Sequence, residues 1–271
     1  MNKPFALVCF LLLTSLLPAC AGTKERETER LLLLQSRYSG SIIRLGIKTE
    51  NDKGGIGTAF YTGSQHGFIT ARHVLMQEDE EGNEYAAEQL MLHIPSCKTD
   101  YTANMGDAVE DKENDAMQWD TMQWKNDWAN FMPTEDTLNR RPLRYDRNIE
   151  LRNNRRVYIA GYPILERVPD YEDGTPVEWL STINLFTYAT KQKLMNSTKT
   201  KNRKFNTVFI PFLGDIDRFR GMSGGPVLIW DEDTQDFIAV GILVTAAIST
   251  HSGNPLLVFI RPQISPIELI E

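Results

Sequence analysis

The chain has 271 residues, with 36 Asp and Glu against 29 Lys and Arg and a formal net charge of −7. An acidic balance of this size argues against a nucleic-acid partner, which needs a basic face. No metal-ligand spacing, phosphate-cradling loop or cofactor fingerprint occurs, so no cofactor or metal is expected.

Met1-Asn2-Lys3 is a short basic start, and the apolar run from Pro4 to Leu17 has signal-peptide length, too short for a comfortable membrane span. It ends Leu17-Pro18-Ala19-Cys20, which resembles a bacterial lipoprotein cleavage box. That resemblance implies removal of residues 1–19 and lipidation of Cys20, which would hold the protein to a membrane. An ordinary secretory cut near Ala19 or Ala21 is the alternative. In both cases the protein is expected to be exported to the bacterial cell envelope, and the sequence assigns no leaflet. Residues 20–37 read as a tether, polar and charged from Gly22 to Arg30. Of the three cysteines, Cys9 lies in the apolar run and Cys20 in the box, leaving Cys97 alone, so no intramolecular disulfide is expected. Cys97 has no histidine or acid motif around it and reads as a passenger rather than a nucleophile.

From residue 38 onward, short apolar runs bounded by turn residues recur. They cover Ser41 to Ile47, Ile56 to Tyr61, Gly67 to Thr70, Gln89 to Ile94 and Trp128 to Phe131. They resume with Val157 to Ala160, Ile183 to Tyr188, Thr207 to Phe212, Val227 to Trp230, Phe237 to Thr245 and Leu256 to Ile260. Many short strands and few segments at helical spacing predict an all-β domain. The one helix expected inside it is short, after His73 or near Tyr85 to Leu90. The basic run from Lys191 to Lys204 sits among Asn, Ser and Thr and reads as a solvated loop.

Two segments carry chemistry. Gly221-Met222-Ser223-Gly224-Gly225-Pro226 embeds a serine in glycines. A nucleophilic serine needs a tight turn on which its own N–H and that of Gly221 aim at one spot, where they can stabilise an oxyanion. Gly221 permits unusual backbone angles there, and Gly224 and Gly225 are expected to admit substrate closely. The bland reading is a glycine turn between strands. The second segment is Thr70-Ala71-Arg72-His73-Val74, a strand end running into a small-residue turn. His66 reads as a solvated turn residue, His93 as a strand residue and His251 as a late-loop residue. The candidate acids Asp107, Asp111, Asp115, Asp120 and Asp127 lie between the two segments. Most sit in a charged stretch without apolar alternation. Asp127 instead opens the strand-like run Asp127-Trp128-Ala129-Asn130-Phe131.

Together these segments, in the order His, Asp, Ser, resemble the trypsin/chymotrypsin superfamily in its disulfide-free bacterial form. Arg141-Pro142-Leu143 and Arg156-Val157-Tyr158-Ile159-Ala160-Gly161-Tyr162-Pro163 also resemble it. The resemblance implies two six-stranded antiparallel β-barrels, residues 38–145 carrying His73 and Asp127, and residues 146–271 carrying Ser223, with the active site in the cleft between them. It implies a serine endopeptidase acting on peptides or proteins through a Ser223-His73-Asp127 triad, an acyl-enzyme and an oxyanion hole of Gly221 and Ser223. Asp115 and Asp120 are the reserve acids. By position, Asp217 falls where the family binds basic side chains, or it is salt-bridged to Arg218 or Arg220. Val244, Thr245 and Ala246 fall where the family pairs with the substrate backbone, and Ala246 in place of a glycine would favour small or medium apolar side chains. Met222 stands where many relatives keep an Asp that pairs with a freed N-terminus, so activation by N-terminal cleavage is not expected. Two other classes fit part of the chain: an inactive trypsin-fold binding lipoprotein of the envelope, and a purely adhesive surface lipoprotein.

Overall fold

The computed structural model describes residues 25–48, 54–78, 84–87, 89–93, 101–103, 127–132, 140–151, 155–164, 186–191, 207–211, 216–248 and 253–264. The chain divides into two compact units, residues 1–37 and 38–271. In the first, the described residues are a helix, α1, beginning at residue 25. The sequence reading treats this stretch as a tether. The helix follows from composition: Glu25, Arg26, Glu27, Glu29 and Arg30 lead into Leu31-Leu32-Leu33-Leu34, all unbranched at Cβ and strong helix formers. The leader and Cys20 lie outside the described residues.

The second unit is built on two antiparallel sheets. In the first, β1 (Ile42–Lys48), β2 (Gly54–Tyr61) and β3 (Phe68–Thr70) lead into the one-turn helix α2 (Arg72–Leu75). There follow β4 (Met76–Glu78), β5 (Glu84–Ala86), β6 (Gln89–His93), β7 (Tyr101–Ala103) and β8 (Ala129–Phe131). Six of these strands pair in the order β7-β6-β1-β2-β3-β8, and β4 with β5 forms a separate hairpin. The second sheet holds β9 (Arg156–Gly161), β10 (Phe186–Lys191), β11 (Thr207–Pro211), β12 (Pro226–Asp231), β13 (Asp236–Ile248) and β14 (Pro255–Ile260). Its order is β10-β9-β12-β13-β14-β11.

Period-two patterning explains both sheets. Ile43, Leu45 and Ile47 of β1 point into one core with Leu90 and Leu92 of β6, Phe68 of β3 and Phe131 of β8. Val157 and Ile159, Val227 and Ile229, Ile238 and Val240, and Leu257 and Phe259 alternate into the other. Each fully buried aliphatic or aromatic side chain of this kind stabilises by about 1.5–3 kcal/mol. Strands β4, β5 and β7 were not expected. They are three residues long with little apolar content, and pairing rather than local pattern makes them strands. The region near Tyr85 to Leu90, one of two places for a helix, is β5 and the start of β6. The strand expected over 183–188 runs three residues later, set by the register Phe186↔Gly161 to Lys191↔Arg156.

The start of this unit is tied to the β12–β13 hairpin by one polar cluster. The Tyr38 hydroxyl donates to Asp236 Oδ1 at 2.9 Å, and Arg141 pairs with Asp236 Oδ2 while its guanidinium lies over the Tyr38 ring. Burial first, then the Asp236 carboxylate, pushes the Tyr38 phenol up to about 12. Between pH 10 and about 12 the unfolded chain therefore releases this proton and the folded chain keeps it, so stability falls as pH rises. Tyr38→Phe is expected to lower stability at pH 7 by about 1 kcal/mol. Denaturation series from pH 8 to 12 should then show a shallower alkaline decline than wild type.

Candidate active site

Strand β3 is buried along its whole length and delivers Ala71 and then α2 to the edge of the first sheet. Thr70 pairs with Ala129 of β8, which places Asp127, two residues upstream, beside the start of α2. Both carboxylate oxygens of Asp127 are engaged there. Oδ1 accepts the His73 backbone N–H at 2.8 Å, and Oδ2 lies 2.7 Å from His73 Nδ1. A carboxylate only accepts, so this contact assigns the ring proton to Nδ1 and leaves Nε2 with a free lone pair. The acid is hidden and the imidazole is open: side-chain exposure is 3% for Asp127 and 28% for His73.

The serine turn comes from the second sheet, between the short 3-10 turn Ile216–Phe219 and β12. Its carbonyls from Arg220 to Ser223 are all occupied. That of Arg220 accepts the Ile164 N–H at 2.8 Å, that of Gly221 the Thr58 hydroxyl at 3.0 Å, that of Met222 the Gly225 N–H at 2.9 Å, and that of Ser223 the Thr58 N–H at 2.8 Å. The amides of Met222 and Gly224 donate to the Phe219 and Leu243 carbonyls. Among the described residues, the N–H groups of Gly221 and Ser223 are the two amides of residues 221–225 with no acceptor. Because a trans peptide opposes its C=O and N–H, a bound Arg220 carbonyl turns the Gly221 N–H away from Ile164. The turn thus carries two unbonded donors around one serine, an arrangement able to bind an anionic oxygen.

Gly221 and Gly224 make this path possible, with φ of +80° and +86°. Gly224 also approaches the first sheet so closely that an added Cβ would lie 2.1 Å from both the Thr58 carbonyl oxygen and Thr70 Oγ1. A Cβ on Gly225 would meet the Ala160 carbonyl oxygen at 2.3 Å. The room these two glycines leave is therefore filled by the protein itself and not by substrate, as the sequence suggested. The same contact brings the turn beside Ala71, two residues from His73.

Ser223 Oγ donates to the Val244 carbonyl at 2.9 Å, and among the described residues it makes no hydrogen bond to His73. Val244 is buried, and Thr245 and Ala246 beside it are half-buried on β13. Strand β13 pairs with β12 as far as Ile242 and with β14 from there to Ile248. Beyond Leu243 its β12-facing edge has no strand partner among the described residues. Asp217 stands exposed on the 3-10 turn, and its carbonyl accepts the Arg220 N–H at 3.1 Å. Met222 is fully buried in the apolar core with Phe219 and Leu151. His66 lies in the turn after β2, its N–H on the Gly63 carbonyl, and His93 ends β6. Asp107, Asp111, Asp115, Asp120, Cys97, His251 and residues 192–206 of the basic run lie outside the described residues. Nothing in the sequence gives Thr58 or Ile164 a part in the site, and Tyr162 enters it only within the family-like segment Arg156 to Pro163. Thr58 meets Gly221 across 163 residues, and nothing local announces that contact.

No protein-family model matches the chain, and no curated protein matches it in sequence. Solved structures do match its fold. A thermostable serine protease, AL20, from an extremophilic microorganism is similar at a TM-score of 0.50 with 12% identity, over 83% of this chain and 92% of that one. HL collagenase is similar at a TM-score of 0.50 with 13% identity, over 83% of this chain and 90% of that one. The fold is that of the trypsin-like serine proteases.

Gly224→Ala is expected to destabilise the protein by more than about 3 kcal/mol, because positive φ and a backbone clash act together. Guanidinium denaturation of the variant against wild type checks this.

Proposed function

We propose that the protein is a trypsin-like serine endopeptidase whose triad is Ser223, His73 and Asp127. The observation that carries the reading is a buried carboxylate holding His73 through both oxygens, beside a serine turn whose Gly221 and Ser223 amides are left without acceptors among the described residues. In this reading each sheet closes into a six-stranded barrel and substrate lies in the cleft between them. An extended peptide adds to the open edge of β13 at Val244, Thr245 and Ala246, its backbone pairing as a further strand. The Ser223 hydroxyl leaves the Val244 carbonyl, and His73 Nε2 takes its proton as Oγ attacks the scissile carbonyl. Asp127 keeps Nδ1 protonated and stabilises the imidazolium. The tetrahedral oxyanion binds the Gly221 and Ser223 amides. His73 then returns the proton to the leaving amine, and water releases the acyl-enzyme by the reverse steps.

Three further parts belong to the proposal. The protein is exported and held to an envelope membrane by lipid on Cys20. Ala246 narrows the mouth of the specificity pocket, which favours small or medium apolar side chains over the basic ones that Asp217 would bind. The site is assembled without an activating N-terminal cut beyond loss of the leader, since Met222 supplies apolar packing where a charge pair would otherwise be needed.

A soluble form beginning at Ala21 should be labelled by a fluorophosphonate probe, and Ser223→Ala and His73→Ala should not be. Ser223→Ala is expected to lower peptide turnover by about 10⁶-fold and Asp127→Asn by about 10⁴-fold. Folded wild-type protein that takes no label would contradict the reading. The same soluble form should reach full activity with its N-terminus uncut, checked by intact mass before and after assay. Activity that appears only after a defined N-terminal cut would contradict the role given to Met222.

A further inference from the structure

Thr58 is a fully buried polar residue in the middle of β2, and every polar group it has is engaged. Its N–H donates to the Ser223 carbonyl at 2.8 Å, and its carbonyl accepts the Thr70 hydroxyl at 2.8 Å. Its own hydroxyl donates to the Gly221 carbonyl at 3.0 Å and accepts the Tyr162 N–H at 3.1 Å. A valine would fill the same volume on the same strand, so packing alone does not require the oxygen. The oxygen also sits in a fitted niche, where a Cβ on Gly161 would come within 2.9 Å of it.

The Gly221 carbonyl is the group whose orientation matters most for the turn. It lies between the two unbonded amides, in the peptide joining Gly221 to Met222. Glycine at φ +80° is free to rotate about that position, and rotation of the peptides on either side would swing the Gly221 N–H out of line with that of Ser223. Ile164 holds the peptide before Gly221, and the peptide after it is held by Thr58 at its carbonyl and by the Phe219 carbonyl at the Met222 N–H. The same threonine holds the Ser223 carbonyl, so one residue of the first sheet anchors both ends of the donor pair on the second.

We propose that Thr58 is a positioning residue for the oxyanion site, its hydroxyl fixing the Gly221 peptide so that the two amides converge. The inference rests on the reading of Ser223 as the nucleophile. Thr58→Val removes the hydroxyl and keeps the backbone bonds. It leaves the Gly221 carbonyl and the Tyr162 N–H without their partner, inside a protein whose His73–Asp127 pair is untouched. Thr58→Ser restores the oxygen without the methyl group.

Inactivation by a small fluorophosphonate, followed over a range of probe concentrations, separates the maximal rate from the half-saturating concentration. Thr58→Val is expected to lower the maximal rate by about tenfold to a hundredfold, less than the ~10²–10³ of losing an oxyanion donor outright, because the amides stay and only their support is lost. The half-saturating concentration should hold, and Thr58→Ser should stay near wild type. Should Thr58→Val not fold, Thr58→Ala removes the same hydroxyl with less crowding and carries the same comparison. A folded hydroxyl-less variant that melts earlier yet inactivates at the wild-type maximal rate would overturn the proposal and leave the protease reading standing. Wild type that does not react at all would overturn both.

Discussion

The serine turn works by subtraction. Four successive carbonyls, from Arg220 to Ser223, are each held by a donor, and two of those donors come from Thr58 on the other sheet. A turn with all its carbonyls fixed has no freedom to rotate its peptides, and the amides left over are those of Gly221 and Ser223. Unbonded amides in a partly buried turn are costly unless water or a ligand reaches them. In the proposed reading, these two free amides are what make a glycine turn a site for a developing anion.

The division between two sheets follows the chemistry. The first sheet carries Asp127 and His73, and the β3–β8 register brings them together within that sheet. The second carries the Ser223 turn, braced by Phe219 and Met222 in its apolar core. Gly224 lets the turn press against Thr58, Thr70 and Ala71, so the two sheets meet closely two residues from His73. An apolar brace under the turn does not depend on a charge made available elsewhere, and the proposal of a site that needs no activating cut rests on it.

What the sequence made legible was the part encoded by short-range pattern. Alternating apolar runs located the long strands, and the glycine-rich serine segment and the Thr-Ala-x-His segment named two site residues. Asp127 stood out because an apolar strand follows it, and the structure places it on His73. Contacts between distant residues stayed hidden. Thr58 looks like any strand threonine until Gly221 folds onto it, and the glycines at 224 and 225 serve the protein's own backbone rather than substrate. The short strands β4, β5 and β7 have no pattern of their own and exist through their partners. Helix α1 is encoded in its leucines and charged residues, within the stretch expected to serve as a tether. Specificity is the least encoded part, since Asp217 and Ala246 suggest different side chains and each depends on loop geometry beyond its neighbours.

The most direct measurement is a crystal structure of the protein after reaction with a fluorophosphonate. The account predicts phosphorus bonded to Ser223 Oγ, with its free oxygen within hydrogen-bond distance of both the Gly221 and Ser223 amides and His73 still held by Asp127. An adduct on another residue, or a phosphoryl oxygen turned to solvent while those two amides find partners inside the protein, would contradict it.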